Sequence, residues 1–332
     1  MTAATAPARI GIEPNVLEWL LDDRWPAVRR LTLIELLGRG SDETDVASLT
    51  ANLAADPWVA SLLAGQPIHP YGKWGGAHWR LFALAELGVS NETPGAAGSI
   101  NEAFDAVLDW LLSPGRQRRI KPIDGRYRNC SSQEGAALWA ACRLGIGHDA
   151  ELQLLAERLV LWQWPDGGWN CDIRPKAHHA SFNESWMPLR GLIAFRRRLG
   201  RGHADDGLDQ AIDRSAEFFL RHRIVESERS GELANDHVTA LRWPPYWHYA
   251  LLPGLRAIAD AGRLDDRRAM VAIDRLVSQR SDDGRWWPEG RYWKSPGSTG
   301  SGVELVRWGR DGEARMLTLQ AVEVLQRAAA AT

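Results

Sequence analysis

The strongest constraint on this 332-residue chain is a turn of fixed chemistry that returns along the sequence. The turn consists of Gln, a few polar residues and then Gly-x-Trp, and its clearest copy covers residues 163–169. A second copy covers 279–286, a looser third covers 66–74, and a fourth at 123–127 keeps only the end of the pattern, Gly-Arg-Tyr. A turn that repeats at intervals of roughly 50 residues, or about twice that, is typical of a helical repeat array.

The segments between the turns show helical periodicity, and strand alternation is almost absent. Some predicted helices carry one apolar stripe, which indicates a half-exposed helix, and others are apolar around most of their circumference, which indicates burial on both sides. The half-exposed helices begin near 15, 46, 99, 150, 208 and 267. The buried partners cover 26–37, 78–88, 133–145, 184–195, 246–259 and 313–326. The sequence therefore predicts six helical hairpins.

Six hairpins are enough to close on themselves, so we expect an all-α fold, an (α/α)6 barrel or toroid with buried helices inside and amphipathic helices outside. An open superhelix of the same hairpins is the alternative. We expect one domain over 1–332, with 1–14 as a disordered tail. In a barrel the Gly-x-Trp connections lie on one face, where the inner helices begin and where their N-termini favour an anion.

Composition excludes several function classes. Hydrophobic residues make up 45% and charged residues 25%, and a net charge of -2 predicts no nucleic-acid partner. No signal segment and no apolar run of about 18 residues is present, so we expect a cytoplasmic protein without a membrane span. Three cysteines argue against a disulfide framework. Seventeen tryptophans suggest aromatic walls around a space, in addition to packing.

The turn at 163–169 and its copies resemble the aromatic repeat of squalene–hopene cyclases and protein prenyltransferases, whose fold is the (α/α)6 toroid. The stretches 166–172, 241–249 and 315–319 look like short, stand-alone bacterial squalene-cyclase-like proteins. The resemblance implies an enzyme that cyclises, isomerises or transfers an isoprenoid or another apolar small molecule. The D-x-D-D motif of class II cyclases is absent, so proton-initiated squalene cyclisation by that machinery is not expected.

The sequence requires no cofactor, and zinc is the one candidate. Prenyltransferases and lanthionine cyclases hold zinc near the mouth of the same toroid, and Cys130, Cys171, His178 and His179 resemble such a set without matching the order of either family. Two small buried thiols and a loop histidine pair are the alternative interpretation. Magnesium is not expected, because the Asp-Asp-x-x-Asp string at 205–209 opens an outer helix, where acidic residues cap.

The candidates for acid–base chemistry are Asp172, Glu184 and His248, each of which also has a structural interpretation. Asp172 follows the clearest turn, and Glu184 begins an otherwise apolar inner helix, where it either faces the cavity or satisfies the helix dipole. His248 lies among aromatic residues that would keep it uncharged and available as a base. The candidate substrate-binding residues are Trp79, Trp186, Tyr246, Trp247, Trp287, Arg128 and Arg242.

Two other function classes stay open. In a carbohydrate-active (α/α)6 hydrolase or lyase, Asp172 and Glu184 would flank a glycosidic bond. In a non-catalytic barrel the same cavity would only bind a ligand. The expected partner in the main interpretation is a small apolar or isoprenoid-like molecule, and the sequence specifies no oligomeric state.

Overall fold

The computed structural model describes residues 12–65, 68–200 and 205–331. Over these ranges the protein is mostly helical, which confirms the all-α class. Gln66 of the third turn copy and most of the expected tail lie outside the described residues, and the first helix begins at Pro14, inside that expected tail. The helices are α1 Pro14–Leu20, α2 Pro26–Leu31, α3 Thr44–Ala51, α4 Pro57–Ala64, α5 Ala77–Glu86, α6 Ala97–Leu112, α7 Pro114–Gln117, α8 Ser131–Leu144, α9 Asp149–Trp162, α10 Phe182–Leu199, α11 Asp206–Arg221, α12 Leu251–Asp260, α13 Met270–Ser278 and α14 Arg310–Ala331.

Two short helical turns and one strand hairpin lie between these helices. A π-helical turn, Thr32–Leu36, extends α2, and a 3-10 turn, Leu53–Ala55, precedes α4. Strands β1 (Pro122–Ile123) and β2 (Arg126–Tyr127) form an antiparallel hairpin around the reduced turn copy, with Ile123 opposite Arg126.

The helices differ in burial as the apolar pattern predicts. Nearly every residue of α5, of α8 and of the stretch 312–325 in α14 is buried, whereas α6, α9 and α11 bury one face only. Each half-exposed helix packs on its buried neighbours: α6 on α5 and α8, α9 on α8 and α10, and α11 on α10 and α12. The buried helices also contact one another in the order α5, α8, α10, α12, α14, and α14 contacts α2.

Glycines allow two buried helices, α8 and α10, to approach each other closely. A methyl group added to Gly135 of α8 would lie 2.4 Å from the backbone nitrogen of Pro188 in α10, and one added to Gly191 would lie 2.6 Å from the carbonyl oxygen of Gly135. Side chains do not fit there, so the two backbones pack directly against each other. This packing brings the N-termini of α8 and α10 close together.

The turn copies anchor the helices through buried indoles. Gln163 donates from Nε2 to the carbonyls of Gly167 and Ala211, both at 2.8 Å, and Trp169 donates from Nε1 to the Leu159 carbonyl at 2.9 Å. Asp205 caps α11 by accepting from Gly207 and Leu208 N–H groups, as the capping interpretation predicts.

The start of α12 differs from the prediction. Residues 246–250 do not belong to α12, which begins at Leu251. Two prolines precede the segment, and Tyr246 has φ 48°, a left-handed conformation that ends regular helix geometry. The Tyr249 N–H instead donates to Asn183 Oδ1 at 2.7 Å, which ties this loop to α10. His248 is therefore a loop residue.

Candidate functional site

Two thiols and one carboxyl group meet where α8 and α10 begin. The ligand-type atoms of Cys130, Cys171 and Glu184 all lie within 4.8 Å of one another. Cys171 Sγ lies 3.6 Å from Glu184 Oε1. Both cysteines are half-buried, and only 2% of Glu184 is exposed. We call these three residues the thiol–carboxyl cluster.

Each member is placed by a helix end or an anchored turn. Cys130 is the N-cap residue of α8, and Glu184 lies in the first turn of α10. Cys171 follows Trp169, whose backbone N–H donates to Ser185 Oγ at 2.9 Å. The turn and α10 are therefore bonded side by side, and the close packing of α8 on α10 adds Cys130.

The titration of the cluster is set by burial and by mutual contact. Burial raises the pKa of Glu184, against hydrogen bonds from Ser132 and Trp247 that lower it. A hydrogen bond between the two thiols lowers the pKa of Cys130 and raises the pKa of Cys171, so Cys130 is the thiol that ionises first. The remaining thiol, Cys142 of α8, is outside the cluster, and burial raises its pKa to about 12.

A row of aromatic rings continues from the cluster, with one ring buried and the others half-buried. Trp247 donates from Nε1 to Glu184 Oε1 at 3.1 Å, and its ring lies 5.3 Å from that of His248. The His248 ring stacks on Tyr292 at 3.5 Å and lies 5.8 Å from the buried Trp74 ring. We call Trp74, Trp247, His248 and Tyr292 the aromatic strip.

Two cations lie over the faces of this strip. Lys73 Nζ lies 5.1 Å from the centroid of Trp74 and 5.4 Å from that of Trp247. The Arg242 guanidinium lies 4.5 Å from the centroid of Tyr292. Burial lowers the pKa of His248 to about 4, with a further contribution from Lys73 and Arg242, so the imidazole is neutral at pH 7.

Three of the candidate binding residues lie beneath the strip, packed in the interior. Trp79, Trp186 and Tyr246 are at most 2% exposed. Tyr246 stacks on Trp74 at 4.6 Å, Trp79 lies 5.6 Å from Tyr246, and Trp186 donates to the Trp247 carbonyl. These rings form a base for the strip by packing against one another.

Other predicted residues lie away from the cluster. The Asp172 carboxylate pairs with Arg174, whose hydrogen bonds lower the pKa of Asp172 to about 2, so this carboxylate is ionised. His178 and His179 are exposed and do not join the cluster. The structure thus brings together Cys130, Cys171 and Glu184 and leaves the histidine pair outside.

Arg128 and Trp287 have contacts of another kind. The Arg128 guanidinium donates to the backbone carbonyls of Ile123, Asp172, Pro175 and Ala177, and it clamps the loop that follows Trp169. Trp287 lies 6.3 Å from the Trp19 ring, and its Nε1 faces Asp283. Arg242 is the candidate cation that lies on the strip.

Sequence reasoning missed Lys73 and Tyr292. Lys73 occupies the variable position of the third turn copy, Gly72-Lys73-Trp74, so the repeat itself held the signal for it. Tyr292 lies in a long connection without periodicity, and no pattern in the sequence pairs it with His248.

Comparison with protein-family models finds no match for this chain, and no curated protein sequence matches it. Among the helices of the described ranges, none has the length and apolar character needed to cross a bilayer.

Proposed function

We propose that the hairpins close into an (α/α)6 toroid whose functional edge carries the cluster and the strip. Support comes from the succession of contacts from α5 through α8, α10, α12 and α14 to α2. Arg30 of α2 also donates to the Gly88 carbonyl, just beyond α5, at 3.1 Å, which links the two ends of the succession. The connections meet as well: Trp74 N–H donates to the Val303 carbonyl, and Trp293 donates to the Trp243 carbonyl.

The proposed function is that of an enzyme acting on a largely apolar, isoprenoid-like small molecule by ionisation, followed by cyclisation, isomerisation or prenyl transfer. The observation that carries the proposal is the pair of cations over the aromatic strip. Faces that attract an ammonium and a guanidinium also stabilise a carbocation, because both interactions depend on the negative face of the ring.

Charged and neutral groups around the strip suit the steps of such a reaction. Lys73 and Arg242 would hold an anionic leaving group such as a diphosphate, and Arg242 would do so with directed hydrogen bonds. His248, neutral at pH 7, would accept the proton that ends the reaction. The interior rings are packed together, so the substrate would lie at the edge of the toroid, over Trp247 and Tyr292.

The experiment incubates the purified full chain with prenyl diphosphates of several lengths and with squalene, with and without zinc and magnesium, and identifies products by mass spectrometry. Trp247→Leu removes a face of the strip. We expect kcat to fall about 2- to 30-fold, from a cation–π contribution of roughly 0.5–2 kcal/mol.

Trp287→Leu is the matched control, because Trp287 is also half-buried beside a turn but contacts Trp19 instead of the strip. Its turnover should equal that of the unmodified protein. The proposal is wrong if no substrate of the panel is turned over, or if both variants lose turnover equally while remaining folded.

A further inference from the structure

We infer that Cys130, Cys171 and Glu184 bind one divalent metal ion of the zinc type, with a fourth position open to water or substrate. The inference depends on the position of these three side chains and goes beyond the proposed function, since it requires no particular substrate. The three ligand atoms converge within 4.8 Å, and each comes from a different segment of the chain.

The spacing suits tetrahedral zinc. Zinc–sulfur bonds of about 2.3 Å in a tetrahedral site place neighbouring ligand atoms roughly 3.5–3.8 Å apart. The 3.6 Å between Cys171 Sγ and Glu184 Oε1 lies in that range. Two thiolates favour zinc over magnesium, which prefers oxygen ligands. Three protein ligands with an open position are the arrangement of catalytic zinc, whereas structural zinc usually has four.

The groups around Glu184 would orient it as a ligand. Its Oε2 accepts from the Ser132 N–H at 3.1 Å, and its Oε1 accepts from Trp247 Nε1 at 3.1 Å. Such outer partners fix the direction of a ligating carboxylate. Two thiolates and a carboxylate carry more negative charge than a divalent ion neutralises. The Ser132 N–H belongs to the first turn of α8, so the positive end of a helix faces this excess negative charge.

The segments that carry the ligands are held in place without a metal. Arg128 bonds to the carbonyls of Asp172, Pro175 and Ala177, and Asn170 donates to the His179 carbonyl at 2.7 Å. The backbone contact of Gly135 with α10 fixes Cys130 relative to Glu184. A prearranged set of ligands limits the ordering that metal binding requires.

The test titrates the reduced full-length protein with Co2+ and then with Zn2+, following absorption, and measures bound metal per chain. We expect one ion per chain and a thiolate-to-cobalt charge-transfer band that zinc abolishes. Cys130→Ser and Cys171→Ser should each weaken that band and the affinity. Glu184→Gln should keep the band, since both thiolates remain, while affinity falls by at least roughly 10- to 100-fold.

Cys142→Ser is the matched control, because it removes a half-buried thiol of α8 outside the cluster, and it should leave binding unchanged. His178→Ala and His179→Ala should also leave it unchanged. Bound zinc should protect Cys130 and Cys171 from alkylation, which mass spectrometry detects. This protection is expected even if no isoprenoid is turned over.

Three results would overturn the inference. One is the absence of metal binding in protein whose three cysteines all react as free thiols. Another is unchanged binding in both Cys130→Ser and Cys171→Ser. The third is a Cys130–Cys171 disulfide in protein kept under reductant.

Discussion

The two clearest copies of the turn have the same anchors and different neighbours. Trp169 donates from Nε1 to the carbonyl of Leu159, ten residues earlier, and Trp286 donates in the same way to Leu276. The backbone N–H of each tryptophan donates to a hydroxyl of the following buried helix, Ser185 in one copy and Thr318 in the other. The anchoring bonds therefore belong to the repeat.

The chemistry beside these anchors is not repeated. The second residue after Trp169 is Cys171, whereas the second after Trp286 is Pro288, and the residue before Ser185 is Glu184, whereas the residue before Thr318 is Leu317. The turn therefore holds the backbone in a fixed arrangement. The residues at a few positions next to it determine which reactive groups are present. A shared fold therefore does not by itself assign a reaction.

The largest loss of stability should follow removal of the anchoring tryptophan that both turn copies share. Trp169→Ala and Trp286→Ala each remove a fully buried indole and its hydrogen bond. Each should lower the free energy of unfolding by about 3–5 kcal/mol, as large-to-small core substitutions do. Urea denaturation measures both, and a copy whose loss costs less than half as much as the other would contradict equivalent roles.

A change at the close contact between α8 and α10, beside the first turn copy, should cost somewhat less stability. Gly135→Ala would place a methyl group 2.4 Å from the Pro188 nitrogen and force α8 away from α10. We expect a loss of about 1–3 kcal/mol in stability and weaker cobalt binding. Gly98→Ala in α6, where a methyl group meets no atom within 4 Å, is the control. Equal behaviour of the two variants would refute the role of the close helix contact.

Removing the hydroxyl that accepts from the tryptophan backbone N–H should cost similar stability in the two copies. Ser185→Ala and Thr318→Val each leave a buried tryptophan N–H without its acceptor. Each should cost about 1–2 kcal/mol, the penalty for an unsatisfied buried donor. Thermal unfolding compares them, and a neutral result for either would show that water replaces the hydroxyl there.

The dependence of stability on pH should separate His248 of the aromatic strip from Asp283 of the second turn copy. His248 has its pKa lowered from 6.5 to about 4, so protonation favours the unfolded chain, and stability present above pH 6.5 is lost as pH falls towards 4. Although burial raises the pKa of Asp283, hydrogen bonds from Ser281, Arg285 and Trp287 bring it below 3.8 overall, so its contribution is lost only at lower pH.

His248→Gln should therefore flatten the decline between pH 6.5 and 4, and Asp283→Asn should not. His78, buried with a pKa lowered to about 3, maintains part of the decline in both variants. Denaturant titrations between pH 6.5 and 4 measure the free energy of unfolding. If its decline with falling pH is as steep in His248→Gln as in the unmodified protein, the imidazole is not buried and neutral.

The sequence predicted the helices and their exposure well, because periodicity records which face of a helix is buried. The stripe from Ile100 to Leu111 is the buried face of α6, and Asp205 is a cap. The sequence also predicted that Cys130 and Cys171 could meet, since Cys130 directly precedes α8 and Cys171 follows the turn that leads towards α10. Glu184 was predicted at the right place but as an acid, without the thiols as its neighbours.

Loop paths could not be predicted. The direction of residues 170–181 is set by Arg128, which bonds to carbonyls 44–49 residues away, and no local pattern records such bonds. For that reason the sequence groups His178 and His179 with the cysteines, and it does not indicate the ion pair of Asp172 with Arg174. Residues 246–250 are likewise predicted as helix, although the two prolines before them and the left-handed backbone of Tyr246 keep them in a loop.

We propose that one copy of the repeated turn lies beside a metal-binding set of side chains. Crystals of zinc-loaded protein, measured on both sides of the zinc absorption edge, test it most directly. We expect one anomalous peak per chain, about 2.3 Å from the Sγ atoms of Cys130 and Cys171 and in contact with Glu184. A peak at His178 or His179, or zinc-loaded crystals without a peak between the two sulfurs, would contradict it.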